Sequence, residues 1–175
     1  KTIVALMSIL ISIDNGYQAC IVAPTEILAF QHFNNFQENL KDLRLNMNVL
    51  TGSSKVSERK KILNELKEGS LNILVGTHAI FEENVIFKNL GFAVIDEQHR
   101  FGVKQRSKIW KKNNPPPHVL IMTATPIPRT LTMSLYGDLD LSVIDELPPG
   151  RKDVITVSRK DKNRLKVFGF IKDQI

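Results

Sequence analysis

Two adjacent carboxylates, Asp96 and Glu97, have the clearest capacity for chemistry in this sequence. They follow an apolar run that predicts a β-strand over residues 92–95, which places the pair at a strand end. One carboxylate of such a pair can hold a hard cation such as Mg²⁺, while the other orients or deprotonates an attacking water molecule. Alternatively, the pair is a solvated strand end or a helix N-terminus, where acidic residues are favoured. His99, three residues after Asp96, favours the catalytic interpretation.

Polar clusters also begin where three other predicted strands end. In chain order they are Pro24-Thr25-Glu26, Gly76-Thr77-His78 and Thr123-Ala124-Thr125. Ligands of an open parallel sheet bind outside the carboxyl ends of its strands, so four clusters at one edge would form a single site. Thr123 and Thr125 have a simpler alternative, which is to cap the helix that follows them.

Lys1 and Thr2 precede a predicted apolar helix and match the last two residues of a phosphate-binding loop, GxxxxGK[ST]. In such a loop the lysine reaches the β- and γ-phosphates and the hydroxyl ligates Mg²⁺. The glycine-rich part of the motif would lie before Lys1. Of the other candidate side chains, His32 and His118 are expected to be ordinary core or surface residues. His78 is intermediate, because it belongs to a strand-end cluster.

Composition and charge bound the class of protein. The chain has 175 residues, about one domain, with 42% hydrophobic and 24% charged residues, as in a globular protein. Its single cysteine excludes a disulfide framework and fits a reducing cytoplasm, and no apolar run is long enough to span a membrane. Residues 1–100 carry 10 basic and 11 acidic side chains, net −1, whereas residues 101–175 carry 14 and 7, net +7. The second part could therefore contact a polyanion or present a solubilised surface.

The stretch from Arg100 to Lys112 is basic, contains no acidic residue and includes Phe101 and Trp110. This composition suits a surface that contacts nucleic-acid phosphates. Alternatively, Trp110 anchors a helix to the core.

Apolar periodicity predicts an α/β fold with a three-layer parallel sheet and helices on both faces. The predicted strands are 19–23, 47–50, 73–75, 92–95 and 119–122, and the predicted helices are 2–13, 26–40, 56–68 and 127–136. The sequence Leu147-Pro148-Pro149-Gly150 indicates a boundary. We therefore expect a domain over residues 1–147 and a linker with the beginning of a second domain over 148–175, the whole truncated at both ends.

The polar clusters together resemble the motifs of superfamily 2 helicases of the DExH type. Motif II is similar to Asp96-Glu97-Gln98-His99, and motif III is similar to Thr123-Ala124-Thr125. Motif Ia resembles residues 24–29, and the next motif, which contacts single-stranded nucleic acid, resembles residues 76–78. The end of motif I resembles Lys1-Thr2. The longer strings over 96–106, 125–131, 135–140 and 145–151 resemble the branch-migrating DNA helicases of this superfamily. The first two of these strings also resemble the transcription-repair coupling translocases.

The resemblance implies a RecA-like motor domain of a bacterial double-stranded DNA translocase that uses ATP and Mg²⁺ to remodel stalled forks and branched junctions. Lys1 and Thr2 would bind the triphosphate, Thr2 and Asp96 would hold Mg²⁺, and Glu97 would activate water. His99, Thr123 and Thr125 would couple hydrolysis to DNA movement. The residues expected at the DNA or in coupling also include Pro24, Thr25, Gly76, Thr77, His78 and Arg100.

The same resemblance implies partners beyond this chain. The motor domain would work with a wedge domain and with a second motor domain that supplies an arginine to the transition state, in the cytoplasm near the nucleoid and without a membrane. We therefore expect the 175 residues alone to bind ATP weakly and hydrolyse almost none. Two alternatives remain: the equivalent domain of a transcription-repair coupling translocase, and a non-catalytic α/β nucleic-acid-binding module. The string Asp145–Arg151 argues against the former, and the intact pair Asp96-Glu97 argues against the latter.

Overall fold

The computed structural model describes residues 1–97, 108–124, 140–146, 150–151, 154 and 156–174. The chain divides into two compact units, Lys1–Pro126 and Ile127–Ile175. The helix predicted over 127–136 lies outside the described residues, and the domain boundary expected after residue 147 stays a prediction. Among the helices that the structure describes, none combines the length and the apolar character needed to cross a bilayer.

The first unit is built on a sheet of five parallel strands. The strands are β1 (Gln18–Val22), β2 (Met47–Leu50), β3 (Ile73–Gly76), β4 (Leu90–Asp96) and β5 (His118–Met122). Their order across the sheet is β2-β3-β1-β4-β5, and each neighbouring pair is parallel. Each predicted strand is present, and the predicted α/β fold is confirmed. Because the strands are parallel, their carboxyl ends all lie along one edge.

Helices connect the strands and cover the sheet. They are α1 (Thr2–Asp14), α2 (Glu26–Asn39) and α3 (Val56–Glu68), with a 3₁₀ turn over His78–Phe81. Helix α3 ends at Gly69, whose φ of 83° is readily adopted by glycine. The second unit contains a 3₁₀ turn over Asp161–Asn163 and helix α4 (Arg164–Gln174), in which the Arg164 guanidinium lies 5.4 Å from the ring centre of Phe168.

Two hydrophobic cores lie on opposite faces of the sheet, because successive strand residues point to opposite sides. In β1, Ala19 and Ile21 join the core under α1 and α2, while Cys20 and Val22 join the core under α3 and the first 3₁₀ turn. This arrangement confirms the predicted three layers. Burial raises the pKa of the Cys20 thiol to about 12, so the single cysteine is a core residue rather than a nucleophile at neutral pH.

Candidate functional site

The predicted strand-end clusters, as far as the structure describes them, lie along one edge of the sheet, which we call the carboxyl rim. It consists of residues 23–26, 51–54, 76–78, 96–97 and 123–124, which follow or complete the five strands. Backbone hydrogen bonds tie neighbouring strand ends together: the amide of Ala23 donates to Gly76 O at 2.8 Å, and that of Thr77 donates to Leu50 O at 3.2 Å. The rim is therefore continuous across β1, β2 and β3.

The acidic pair lies at the end of β4. Asp96 is the last residue of that strand, and its side chain is 17% exposed. Glu97 has a φ of 49°, in the left-handed region that non-glycine residues seldom occupy. Its Oε1 accepts a hydrogen bond from the backbone N–H of Ala124 at 3.2 Å. This bond links the pair to the cluster that follows β5.

The beginning of α1 meets the same part of the rim. Lys1 is the N-cap residue of α1, and its ammonium donates a hydrogen bond to the carbonyl oxygen of Thr123. Thr2, the first helical residue, is half-buried. An α-helix N-terminus attracts anions, because its first N–H groups have no partners within the helix. Lys1, Glu97 and the cluster after β5 therefore lie together at the N-terminus of α1, where an anion is favoured.

His32 is a member of the site that sequence reasoning missed. Its Nε2 lies 2.9 Å from Oδ2 of Asp96, and because an ionised carboxylate only accepts, the histidine nitrogen is the donor. The residue is 8% exposed, so the expectation of a core histidine is correct, but its partner is the predicted Mg²⁺ ligand. The available signal was its place between Ala29 and Phe36 on the buried face of α2, since a buried polar side chain needs a partner.

A second set of contacts joins the ends of β1 and β2. The Glu26 carboxylate accepts from the Ser53 amide at 3.1 Å and from the Ser53 hydroxyl at 2.7 Å. The hydrogen bond from the Ser53 hydroxyl is the main reason that the pKa of Glu26 lies below its ordinary value. Thr25 is exposed and caps α2, because its hydroxyl oxygen accepts from the Leu28 amide at 3.3 Å. Pro24, before it, is half-buried.

The cluster after β3 divides into buried and exposed parts. A Cβ added to Gly76 would lie 2.2 Å from Leu50 O, so the close approach of β2 requires glycine here. Thr77 is 2% exposed, and its Oγ1 has no hydrogen-bond partner among the residues that the structure describes. His78 is exposed. Of these three residues, only His78 presents its side chain to solvent.

Three predicted site residues, His99, Arg100 and Thr125, lie outside the described residues. The end of the basic stretch is described from residue 108 onward. There Ile109 is fully buried in the core and Trp110 is 42% exposed, so Ile109 is the residue of this segment that the core encloses. Lys112 donates to the carbonyls of Glu82 and Val85, and desolvation lowers its pKa. Lys112 therefore fixes the end of the basic stretch to the segment that follows the first 3₁₀ turn.

The donor set at the β4 end suits Mg²⁺. Asp96 and Glu97 offer carboxylate oxygens there, and Thr2 offers a hydroxyl at the start of α1, and these are the hard ligands that this cation prefers. No three His, Cys, Asp or Glu side chains converge within the described part of the chain. In proteins Mg²⁺ usually binds through one or two carboxylates together with substrate phosphates.

Comparisons with known proteins agree with the helicase motifs. The DEAD/DEAH box helicase family matches residues 1–134. The ATP-dependent DNA helicase RecG of Aquifex aeolicus is 50% identical over 176 residues, covering 100% of this chain and 22% of that protein. RecG of Escherichia coli K12 is 49% identical over 171 residues, covering 96% of this chain and 25% of that protein. The chain thus spans about a quarter or less of these relatives.

Solved structures give the same result. A structure of RecG bound to a three-way DNA junction matches 97% of this chain and 22% of its own, with a TM-score of 0.82 and 39% identity. A DEAD box protein of Methanococcus jannaschii matches 67% of this chain and 34% of its own, with a TM-score of 0.52 and 23% identity, which supports the fold alone. The resemblance predicted from the sequence and the RecA-like fold are both confirmed.

Proposed function

Because this chain belongs to the DEAD/DEAH box helicase family, we propose that it is the first motor domain of a RecG-type ATP-dependent DNA helicase. The observation that carries the proposal is the pair of contacts at the end of β5. Lys1 bonds to Thr123, and Glu97 bonds to the amide of Ala124. These contacts bring together the lysine that we assign to nucleotide binding, the acid that we assign to catalysis and the segment that we assign to coupling.

The chemistry we assign is hydrolysis of the γ-phosphate of ATP. Lys1 and the N-terminus of α1 attract the triphosphate, and Glu97 accepts a proton from the attacking water. Thr2 and Asp96 would hold Mg²⁺, which supplies positive charge to the phosphate oxygens. Lys1 would exchange the Thr123 carbonyl for a phosphate oxygen when ATP binds. This exchange would release the end of β5, and it offers a direct route from nucleotide binding to the coupling residues.

We assign the DNA to the other part of the carboxyl rim. Thr25 and His78 are exposed there. Elsewhere in the chain, the net charge of +7 over residues 101–175 favours a nucleic-acid partner. Thr77 is buried, so any contact of its hydroxyl with DNA would require this segment to move. Arg100 would add a phosphate contact. The substrates we propose are forks and branched junctions, in line with the three-way junction bound by the similar RecG structure.

The complete protein would contain further domains. Relatives carry at least three quarters of their length outside the matched part. In the proposed machine these parts include a wedge domain and a second motor domain, and the protein acts on the bacterial nucleoid. Since an arginine from a partner domain can raise phosphoryl-transfer rates by about 10³–10⁵-fold, we expect the 175 residues alone to turn over little ATP. DNA-stimulated hydrolysis by this piece would contradict that expectation.

The decisive experiment is Glu97→Gln in the complete protein. Removal of the base should lower ATP turnover by about 10²–10⁴-fold, while binding of a branched DNA junction persists. Glu38→Gln makes the same charge change on the exposed side of α2 and should leave both properties unchanged. Steady-state ATP hydrolysis and a junction-binding assay measure the two properties. Normal turnover in Glu97→Gln would refute the assigned role.

A further inference from the structure

The contact between His32 and Asp96 extends the site from the sheet edge into the helix layer. Asp96 lies two residues after Val94, so it points to the face of β4 that α1 and α2 cover. His32 lies on the buried face of α2, opposite that side of the strand. The bond of 2.9 Å therefore joins a helix to a strand-end carboxylate, and it spans residues that are 64 positions apart in the chain.

Two contacts restrict the His32 ring. Asp96 engages Nε2, and the Phe36 ring lies one turn further along α2 with its centre 6.3 Å from that of the histidine and its plane tilted by 55°. A ring held in this way presents its N–H in a fixed direction. Asp96 accepts that N–H through one of its two oxygens, Oδ2, so the carboxylate is oriented while Oδ1 remains as its second acceptor.

A purely structural role explains this pair poorly. The stripe of α2 that includes Ala29 and Phe36 is otherwise apolar, and a leucine at position 32 would bury apolar surface without desolvating a polar group. A buried pair of polar groups is weak evidence for stability, because the desolvation of both groups opposes their attraction. Carboxylates that bind metals are commonly oriented by such outer hydrogen bonds.

We propose that His32 is a positioning residue that orients the Asp96 carboxylate for Mg²⁺. The inference rests on the proposed function, since Asp96 is a metal ligand only in that function. His32 does not touch the nucleotide or the metal. It acts through Asp96 alone, so its replacement should weaken metal binding before it affects DNA binding.

The test measures binding of Mn²⁺ to the complete protein in the presence of the ATP analogue AMP-PNP, by electron paramagnetic resonance. His32→Leu should raise the Mn²⁺ concentration for half-saturation by about 10- to 100-fold. His32→Gln retains an N–H donor at a similar reach and should restore most of the affinity. His32→Asn carries the same amide on a side chain one methylene shorter and should not.

Stability is controlled separately. Leu40→Ala removes a side chain of the same core, which is 4% exposed and directly follows the last residue of α2. It should lower the unfolding midpoint and leave Mn²⁺ affinity unchanged. If His32→Leu does not fold, the comparison of His32→Gln with His32→Asn decides the matter. Equal Mn²⁺ affinity in those two variants, or a loss in Leu40→Ala as large as in His32→Leu, would overturn the proposal.

Asp96→Asn separates this inference from the proposed function. If Asp96→Asn abolishes Mn²⁺ binding and His32→Leu does not weaken it, only the positioning role fails. If Asp96→Asn binds Mn²⁺ normally, both fail.

Discussion

The two ends of the sheet use polar residues in different ways. At the amino end, the Gln18 amide is 4% exposed and donates to Leu66 O at 3.0 Å and to Leu71 O at 2.8 Å, while its oxygen accepts from the Asn89 amide at 3.0 Å. At the carboxyl rim, Thr77 has a buried hydroxyl with no partner in the part of the chain that the structure describes, and Glu97 has a positive φ.

This difference separates residues that stabilise the fold from residues available for chemistry. A buried amide with every group paired contributes to stability and is uninformative about ligands. Unpaired buried hydroxyls and strained backbone reduce stability, and they persist where the surrounding structure holds them for a function. The buried Gln18 amide is therefore structural, while Thr77 and Glu97 belong to the rim that contains the candidate site.

Among the variants that test the difference between the amino end and the carboxyl rim, we expect the largest effect in catalysis. Lys1→Ala in the complete protein should lower kcat/KM for ATP by about 10²–10³-fold, because it removes the cation that we propose binds the phosphates. Lys41→Ala makes the same charge change before β2 starts, at the amino end, and should have no effect. Steady-state kinetics measure the ratio. Equal losses in the two variants would remove the functional distinction between the ends.

Gly76→Ala tests a position where the rim itself has a structural role. The new Cβ would meet the backbone oxygen of Leu50 at 2.2 Å, so the free energy of unfolding should fall by about 3 kcal/mol. Gly52→Ala is the matched control in the same rim, since its Cβ would find only Glu26 Oε1 at 3.8 Å. Urea denaturation compares the two. A Gly76→Ala variant as stable as Gly52→Ala would show that β2 and β3 can separate at no cost.

At the amino end, Gln18→Leu should lower the free energy of unfolding by roughly 2 kcal/mol, because the Asn89 amide and two carbonyls lose their partner. The KM for ATP should not change. Gln37→Leu on the exposed side of α2 should alter neither property. A raised KM in Gln18→Leu would break the separation between the two ends.

The smallest effect concerns pH. The pKa of Glu26 is lower in the folded chain than its ordinary value of 4.5, chiefly because Ser53 donates to it. The carboxylate therefore adds stability above that value, and this contribution is lost as pH falls through the folded pKa. Wild type and Glu26→Gln should differ in unfolding midpoint at neutral pH and converge in acid. A difference that is constant with pH would exclude this linkage.

The sequence predicted the elements of the sheet well, because buried parallel strands are continuous apolar runs bounded by polar residues. It also placed four polar clusters at strand ends, and the structure brings Lys1, Asp96, Glu97 and Thr123 to one edge. The serine and threonine loop after β2 was not predicted as part of the rim. Its contact with Glu26 depends on β2 and β1 flanking β3, an order that local patterns do not encode.

The amino-acid sequence by itself determined the fold class, the strand ends and the helicase motifs, since each depends on neighbouring residues or short spacings. Tertiary structure decided which side chains meet. His32 is an ordinary core histidine until α2 packs over β4, and only then does its N–H reach Asp96. Lys1 likewise meets Thr123 across 122 positions of chain. Such contacts follow from strand order and helix packing, which are properties of the whole sheet.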